Sequence, residues 1–369
     1  MTDVETQYFA LLRAALWDKP AAIDGTIDWQ AVMSLASHHA NNVLISGVAL
    51  QLPEAQRPSA EMQQQMQFAM RDNLMKHLHL RQILLMAVKK LREQGIEPVL
   101  LKGFGLAMLY PNPNLRQFGD IDIFVGLDRF HEACALLRTL PGGYNWGGEV
   151  DSGHHYNIEF GHFPMEIHRV SADVIDEAES QAYALMEQDG LAENPQRVDF
   201  EGFELSIPSK EFAVFFTFYH AWHHFLTSGV GWRQISDVAM TLHAYHGQLD
   251  TDKLHRWLTD MHLVQPWQTF GWLMVNVLGL SEAEMPFYDA RCNRRADRLY
   301  RRIVEEGNFK RKNSFRRSKP KEAGAGRKLH SLINVFVDFF HIAKVFPDAA
   351  FRVMRVALKT GLKKNLQKK

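Results

Sequence analysis

Apolar residues at helical spacing dominate the first ninety positions. In "DWQAVMSLASHHANNVLISGVAL" they recur at intervals of three and four behind Asp28, a residue type that caps helix N-termini. From Ser59, "MQFAMRDNLMKHLHLRQILLMAVKKLREQG" keeps the same period as far as Gly95, which predicts one long helix ended by that glycine.

The period then changes. "IEPVLL" predicts a short strand and "GFGLAMLY" a helix of about two turns. "PNPN" predicts a loop, because proline lacks the N–H that a helix interior needs. "DIDIFVG" alternates as a strand, and "LDRFHEACALLRTL" predicts a helix ending at Pro141-Gly142. "HHYNIEF" and "FPMEIHRV" read as a hairpin turning at Gly161-His162, "QRVDFEGFELSIP" as a further strand, and a helix lies near 175–189. Beyond Ser209 the helical period returns in "SKEFAVFFTFYHAWHHFL", "WRQISDVAMTLHAYH", "DTDKLHRWLTDMH" and "VQPWQTFGWLMVNVLG". The expected class is α+β: helices over 1–94, a small mixed sheet over 95–208 and helices over 209–307. A basic linker over 308–328 and C-terminal amphipathic helices over 329–369 follow.

Composition narrows this picture in two ways. Lys plus Arg and Asp plus Glu both number 42, yet the chain from Lys310 onward holds 17 basic and 3 acidic residues. Such a tail suits an anionic partner, either nucleic acid or an anionic membrane surface. The two cysteines, Cys134 and Cys292, have no disulfide or zinc-knuckle spacing, which points to a reducing cytoplasm. "MTDVETQYFALLRAALW" places acids where a signal peptide needs bases, and no segment reaches the roughly 18 apolar residues of a spanning helix.

Candidate chemistry concentrates in "VLLKGFGLAMLYPNPNLRQFGDIDIFVG". Strand alternation puts Asp120 and Asp122 on one face, about 7 Å apart, and turns Ile121 and Ile123 the other way. Two such carboxylates invite a hard divalent cation, Mg²⁺ or Mn²⁺. A third acid is expected on a neighbouring strand, and "FPMEIHRV" supplies Glu166 with His168 on the same face. Gly103 stands where a strand turns into a helix, a place where backbone N–H groups can meet a phosphate. Lys102 and Arg116 add positive charge at that edge. Acids facing amides and cations is the layout for in-line phosphoryl attack.

"LLKGFGLAMLYPNPNLRQFGDIDIFV" resembles the signature of the uncharacterised bacterial nucleotidyltransferase family of the DNA polymerase beta-like superfamily: Leu-Lys-Gly, an Arg, then Gly-Asp-Ile-Asp. "MEIHRV" matches its later acid-and-histidine strand, and "FYHAWHHFLTSGVGWRQISDVAMTL" resembles its helical region through His220, His223 or His224, Arg233 and Asp237. The resemblance covers roughly residues 30–245. It implies a nucleotidyltransferase-type mixed sheet, two metal-binding aspartates (Asp120, Asp122) and a third acid (Glu166). In one respect the chain departs from the wider superfamily: Phe104 follows Gly103 where a glycine or serine is usual.

The expected activity is metal-dependent transfer of a nucleotidyl group from an NTP such as ATP to an acceptor hydroxyl. Asp120, Asp122 and Glu166 would be catalytic and hold the metal, with Lys102, Gly103, Arg116 and His168 on the phosphates. The competing expectation, favoured by Phe104, is an inactive nucleotide- or partner-binding protein docked by its basic tail. His220 and His224, four apart on a helix, could take zinc. No acid lies nearby in sequence, so they are expected to line the cleft or pack there, paired with Asp237. Asp237 is otherwise expected to pair with Arg233, and His154 and His155 to be half-exposed at a strand start.

Overall fold

The computed structural model describes residues 1–144, 153–174, 176–308 and 325–366. Helices α1 (Asp3–Trp17), α2 (Trp29–His38), α3 (Asn42–Ala49) and α4 (Ala60–Arg92) come first. Asp28, the cap the sequence marks, accepts the Ala31 N–H at 3.0 Å, and Ser59 caps α4 by accepting the Met62 N–H at 3.4 Å. The helical run expected behind Asp28 is divided between α2 and α3, where Ala40 has a φ of 56°. His39 and Asn41 are fully buried there, and Asn41 donates to the Tyr8 hydroxyl at 2.9 Å. Long-range partners override local periodicity at this point.

Among the described residues seven strands form one mixed sheet: β1 (Val99–Leu100), β2 (Ile121–Phe124), β3 (Gly143–Tyr144), β4 (His155–Phe160), β5 (Phe163–His168), β6 (Gln196–Phe200) and β7 (Phe203–Ile207), in the order β3-β4-β5-β2-β1-β7-β6. β2 runs parallel to β5 and β1 parallel to β7; the other neighbours are antiparallel. "QRVDFEGFELSIP" is therefore a hairpin and not one strand. Its turn is Glu201-Gly202, both at positive φ. Between strands lie α5 (Phe104–Ala107), one turn where two were expected, then α6 (Phe130–Leu137) and α7 (Ser180–Glu187).

The helical second half comprises α8 (Lys210–Thr227), α9 (Trp232–Ala244), α10 (Thr251–Asp260), α11 (Val264–Asn276) and α12 (Asn293–Glu306). It ends in the pair α13 (Ala325–Ala343) and α14 (Pro347–Leu366). Ser209 caps α8, accepting the Phe212 N–H at 3.3 Å. The basic linker expected over 308–328 lies mostly outside the described residues, and α13 already starts at Ala325. Among the described residues no helix is long and apolar enough to cross a membrane.

Strand alternation sorts the sheet's two faces into different cores. Ile121 and Ile123 of β2 and Met165 and Ile167 of β5 pack with Leu84, Val88, Phe130 and Leu137 of α4 and α6. Each such burial is worth about 1.5–3 kcal/mol. On the other face Val99, Leu101 and Phe124 join the larger core built by α1–α3 and α8–α12. Asp122, Glu166 and His168 also point to that second face, toward α8 and α9.

Candidate active site

The site begins at the turn after β1. Leu101 N–H bonds to the Asp122 carbonyl at 3.0 Å, which locks the turn to β2. Gly103 follows at φ 64°, a conformation that glycine adopts without strain. A Cβ there would also stand 3.2 Å from the Asp120 carbonyl oxygen. The helix it opens is only one turn long, so its dipole adds little charge.

Parallel pairing of β2 with β5 puts Asp122 opposite Glu166 and Phe124 opposite His168. Asp122 is fully buried. Its Oδ1 lies 2.9 Å from Lys102 Nζ and accepts from His168 Nε2 at 3.1 Å. Its Oδ2 is buried without a hydrogen-bond partner. His168 Nε2 is also 3.4 Å from Glu166 Oε2. Burial would lower the Lys102 ammonium, but Asp122, Asp120 and Glu166 outweigh it and hold the group above its ordinary value. Burial likewise opposes protonation of His168, and its bonds to Asp122 and Glu166 prevail, raising it. Burial would raise Glu166; the His168 hydrogen bond and the Lys102 charge reverse this and bring it to about 2. Asp120 is raised, first by burial and then by the Asp122 charge.

These donors suit a divalent cation. Asp122, Glu166 and His168 each offer a ligand atom, and the three atoms lie within 4.8 Å of one another. The partnerless Oδ2 of Asp122 is a buried carboxylate oxygen that a cation would satisfy. Asp120 faces the cavity but stands outside this close group.

Arg116, expected beside the phosphates, lines the cavity and is also engaged by α9. Its Nε and Nη2 donate to Asp237 at 2.6 and 2.8 Å, and its Nη1 donates to the Gly103 carbonyl at 3.2 Å. Tyr110 adds a 2.7 Å bond to the same carboxylate. Asp237 is thus the partner of Arg116, where the sequence suggested Arg233 or the histidines. The bidentate geometry makes Arg116 a brace between α9 and the Lys-Gly turn. Arg233, one helical turn before Asp237, donates to the Gln117 carbonyl at 3.0 Å, and its Nε is buried without a partner. Burial and then Arg116 lower its guanidinium.

A cavity of about 480 Å³ collects these groups: Lys102, Asp120, Glu166 and Arg233 line it. Histidines of α8 form its far wall. His220 and His224 stand Nε2 to Nε2 at 3.1 Å, and His224 Nδ1 meets Ser228 Oγ at 2.8 Å. Burial lowers both, His224 to about 3, and so favours their neutral forms. Phe104 is not among the lining residues. Its ring packs on Phe118 at 4.7 Å and Phe200 at 5.4 Å, in the core on the opposite face of the sheet. Arg233 as a cavity cation was visible in the sequence only through the family resemblance. The engagement of His154 with Asp173, at 2.9 Å, had no local signal at all.

Comparison with known proteins gives three findings. No curated protein matches the chain. A crystal structure of an antigenic nucleotidyltransferase-like protein from Paracoccidioides brasiliensis matches at 14% identity with a TM-score of 0.34, covering 57% of this chain and 94% of that one. The family model described as uncharacterised nucleotidyltransferase matches residues 25–279, a span that holds the Lys-Gly turn, all three acids and Arg233. The chain belongs to the uncharacterised nucleotidyltransferase family.

Proposed function

We propose that the cavity is the site of nucleotidyl transfer from an NTP to an acceptor hydroxyl, with Mg²⁺ or Mn²⁺ held by Asp120, Asp122 and Glu166. The observation that carries this reading is the direct opposition of Asp122 and Glu166, with one buried carboxylate oxygen left without a partner. The ion, when bound, neutralises triphosphate charge and lowers the pKa of the attacking hydroxyl. Lys102 and Arg233 supply the protein's own cations to the phosphates, and Arg116 positions the Gly103 turn through its carbonyl. His168 orients Asp122 and Glu166 through one nitrogen. Glu166, drawn down by the His168 hydrogen bond and the Lys102 charge, is held as the carboxylate that a cation needs.

Incubating the protein with each NTP, Mg²⁺ and a metabolite extract, with pyrophosphate release and product mass as readouts, tests the reading. Pyrophosphate with a nucleotidylated product supports it; NTP binding without turnover in any mixture sinks it. That second outcome fits a nucleotide-binding protein without catalysis, and the feature on its side is Lys102, which already neutralises Asp122 Oδ1. In either case the basic tail would serve docking to an anionic nucleic acid or membrane surface, outside the cavity.

A further inference from the structure

Beside the carboxylates, where β4 begins and β5 ends, three histidines converge. His154, His155 and His168 each offer a ring nitrogen, and the three nitrogens lie within 4.8 Å of one another. His155 is paired opposite His168 across β4 and β5, with ring centres 5.2 Å apart. His154 stands 4.3 Å from the His155 ring and 5.7 Å from that of His168.

Each ring faces a carboxylate through one nitrogen. His154 Nδ1 is 2.9 Å from Asp173 Oδ1, His155 Nε2 is 3.9 Å from Glu166 Oε1, and His168 Nε2 bonds Asp122 at 3.1 Å. The opposite nitrogens are what remain. His154 Nε2 and His155 Nδ1 face each other at 2.8 Å, and His168 Nδ1 is buried with no hydrogen-bond partner. A carboxylate on one nitrogen fixes an imidazole's direction and presents the other nitrogen to a metal, which displaces the proton shared by His154 and His155 and the one on His168.

We propose that His154, His155 and His168 form a transition-metal site, for one Zn²⁺ ion, on the wall of the cavity. Three imidazoles suit zinc, whereas the hard Mg²⁺ or Mn²⁺ prefers the neighbouring carboxylates. Two nitrogens on a tetrahedral zinc, with bonds of about 2.0–2.1 Å, lie roughly 3.3 Å apart. The His154–His155 pair therefore opens by about half an ångström on binding. Three protein ligands leave a fourth position, and because His154 and His168 line the cavity, that position faces the substrate space. An open zinc there can take an oxygen of the acceptor. The site does not depend on nucleotidyl transfer, since its ligands bind metal whatever the cavity does.

The full-length protein, stripped with a chelator, is titrated with Zn²⁺ by calorimetry and with Co²⁺ by visible absorption. One equivalent of zinc, strong tetrahedral Co²⁺ bands and an X-ray absorption shell of three imidazoles are expected. His154→Ala with His155→Ala should weaken binding at least about a hundred-fold, and Asp173→Asn about ten- to a hundred-fold. Asp120→Asn should leave zinc affinity unchanged. The absorption shell is read on the unmodified protein, so it stands even where a variant folds poorly. No stoichiometric binding, an oxygen-dominated shell, or full affinity in the double variant (zinc on His220 and His224) overturns the proposal. Zinc binding without pyrophosphate release would remove only the transferase reading, and the reverse result would remove only this one.

Discussion

Asp122 and Glu166 stand opposite each other on parallel strands, and a single lysine, Lys102, pairs with the one that is fully buried. Asp122→Asn removes the charge while keeping the shape. Nucleotide transfer should fall roughly a thousand-fold, the kinetic equivalent of about 4 kcal/mol. Lys102 loses its buried counter-ion at the same time, so urea unfolding should show a loss of about 3 kcal/mol or more. A variant with full transfer activity removes Asp122 from the site.

The two arginines of the cavity should separate cleanly. Arg233→Ala should weaken NTP binding by calorimetry about ten-fold or more, the worth of one charge-assisted hydrogen bond, with a small change in melting temperature. Arg116→Ala should instead destabilise the fold by about 3–5 kcal/mol, because Asp237 is left buried without its counter-ion, held by the Tyr110 hydroxyl alone. Equal effects from both would contradict the division of roles.

Gly103→Ala combines a positive φ with a Cβ 3.2 Å from the Asp120 carbonyl. The expected cost is about 1–2 kcal/mol in denaturant unfolding. Because the relief of strain moves Asp120, transfer activity measured on the folded fraction should also drop. A neutral substitution would show that the turn is not under this constraint.

Phe104→Ala should cost about 3–5 kcal/mol, as the ring is buried against Phe118 and Phe200. NTP affinity per folded molecule should hardly change, since the ring lies outside the cavity lining. A large gain or loss of affinity would return Phe104 to the phosphate site.

Buried neutral histidines set the acid limb of stability. His77 is lowered to about 4, first by burial, and His224 to about 3 by the same cause. Both have folded values below the unfolded one near 6.5, so their contribution is complete above pH 6.5 and is lost as pH falls toward 3–4. Each adds a slope of up to about 1.4 kcal/mol per pH unit in that window. His168 has the opposite sign: raised in the fold, it stabilises fully below 6.5 and loses that contribution as pH rises through its folded value. Urea midpoints from pH 4 to 8 should show His77→Gln flattening the acid limb and His168→Gln flattening the alkaline one.

The sequence made the local parts of this site readable. Asp120 and Asp122 alternate with isoleucines, and Glu166 alternates with Met165 and Ile167, so the facing of all three acids followed from period two alone. The helix start at Asp28 followed from the chemistry of its side chain. Pairings across long separations were not readable in this way. Arg116 and Asp237 are 121 residues apart, and nothing near either one names its partner. The break at Ala40 carries no glycine or proline, because buried partners of His39 and Asn41 impose it. His154 and His155 looked like ordinary strand-edge residues until the β4–β5 register brought His168 beside them.

The C-terminal helix pair has a consequence for anyone shortening this chain. Phe346, between α13 and α14, sets its ring 5.0 Å from Trp222 and 5.4 Å from Phe225, on α8, the same helix that carries His220 and His224. Arg352 of α14 reaches Glu179 as well, just before α7. The terminal segment is thus a buttress for the histidine wall, and a truncation chosen only to trim a basic tail would loosen the chamber it leans on.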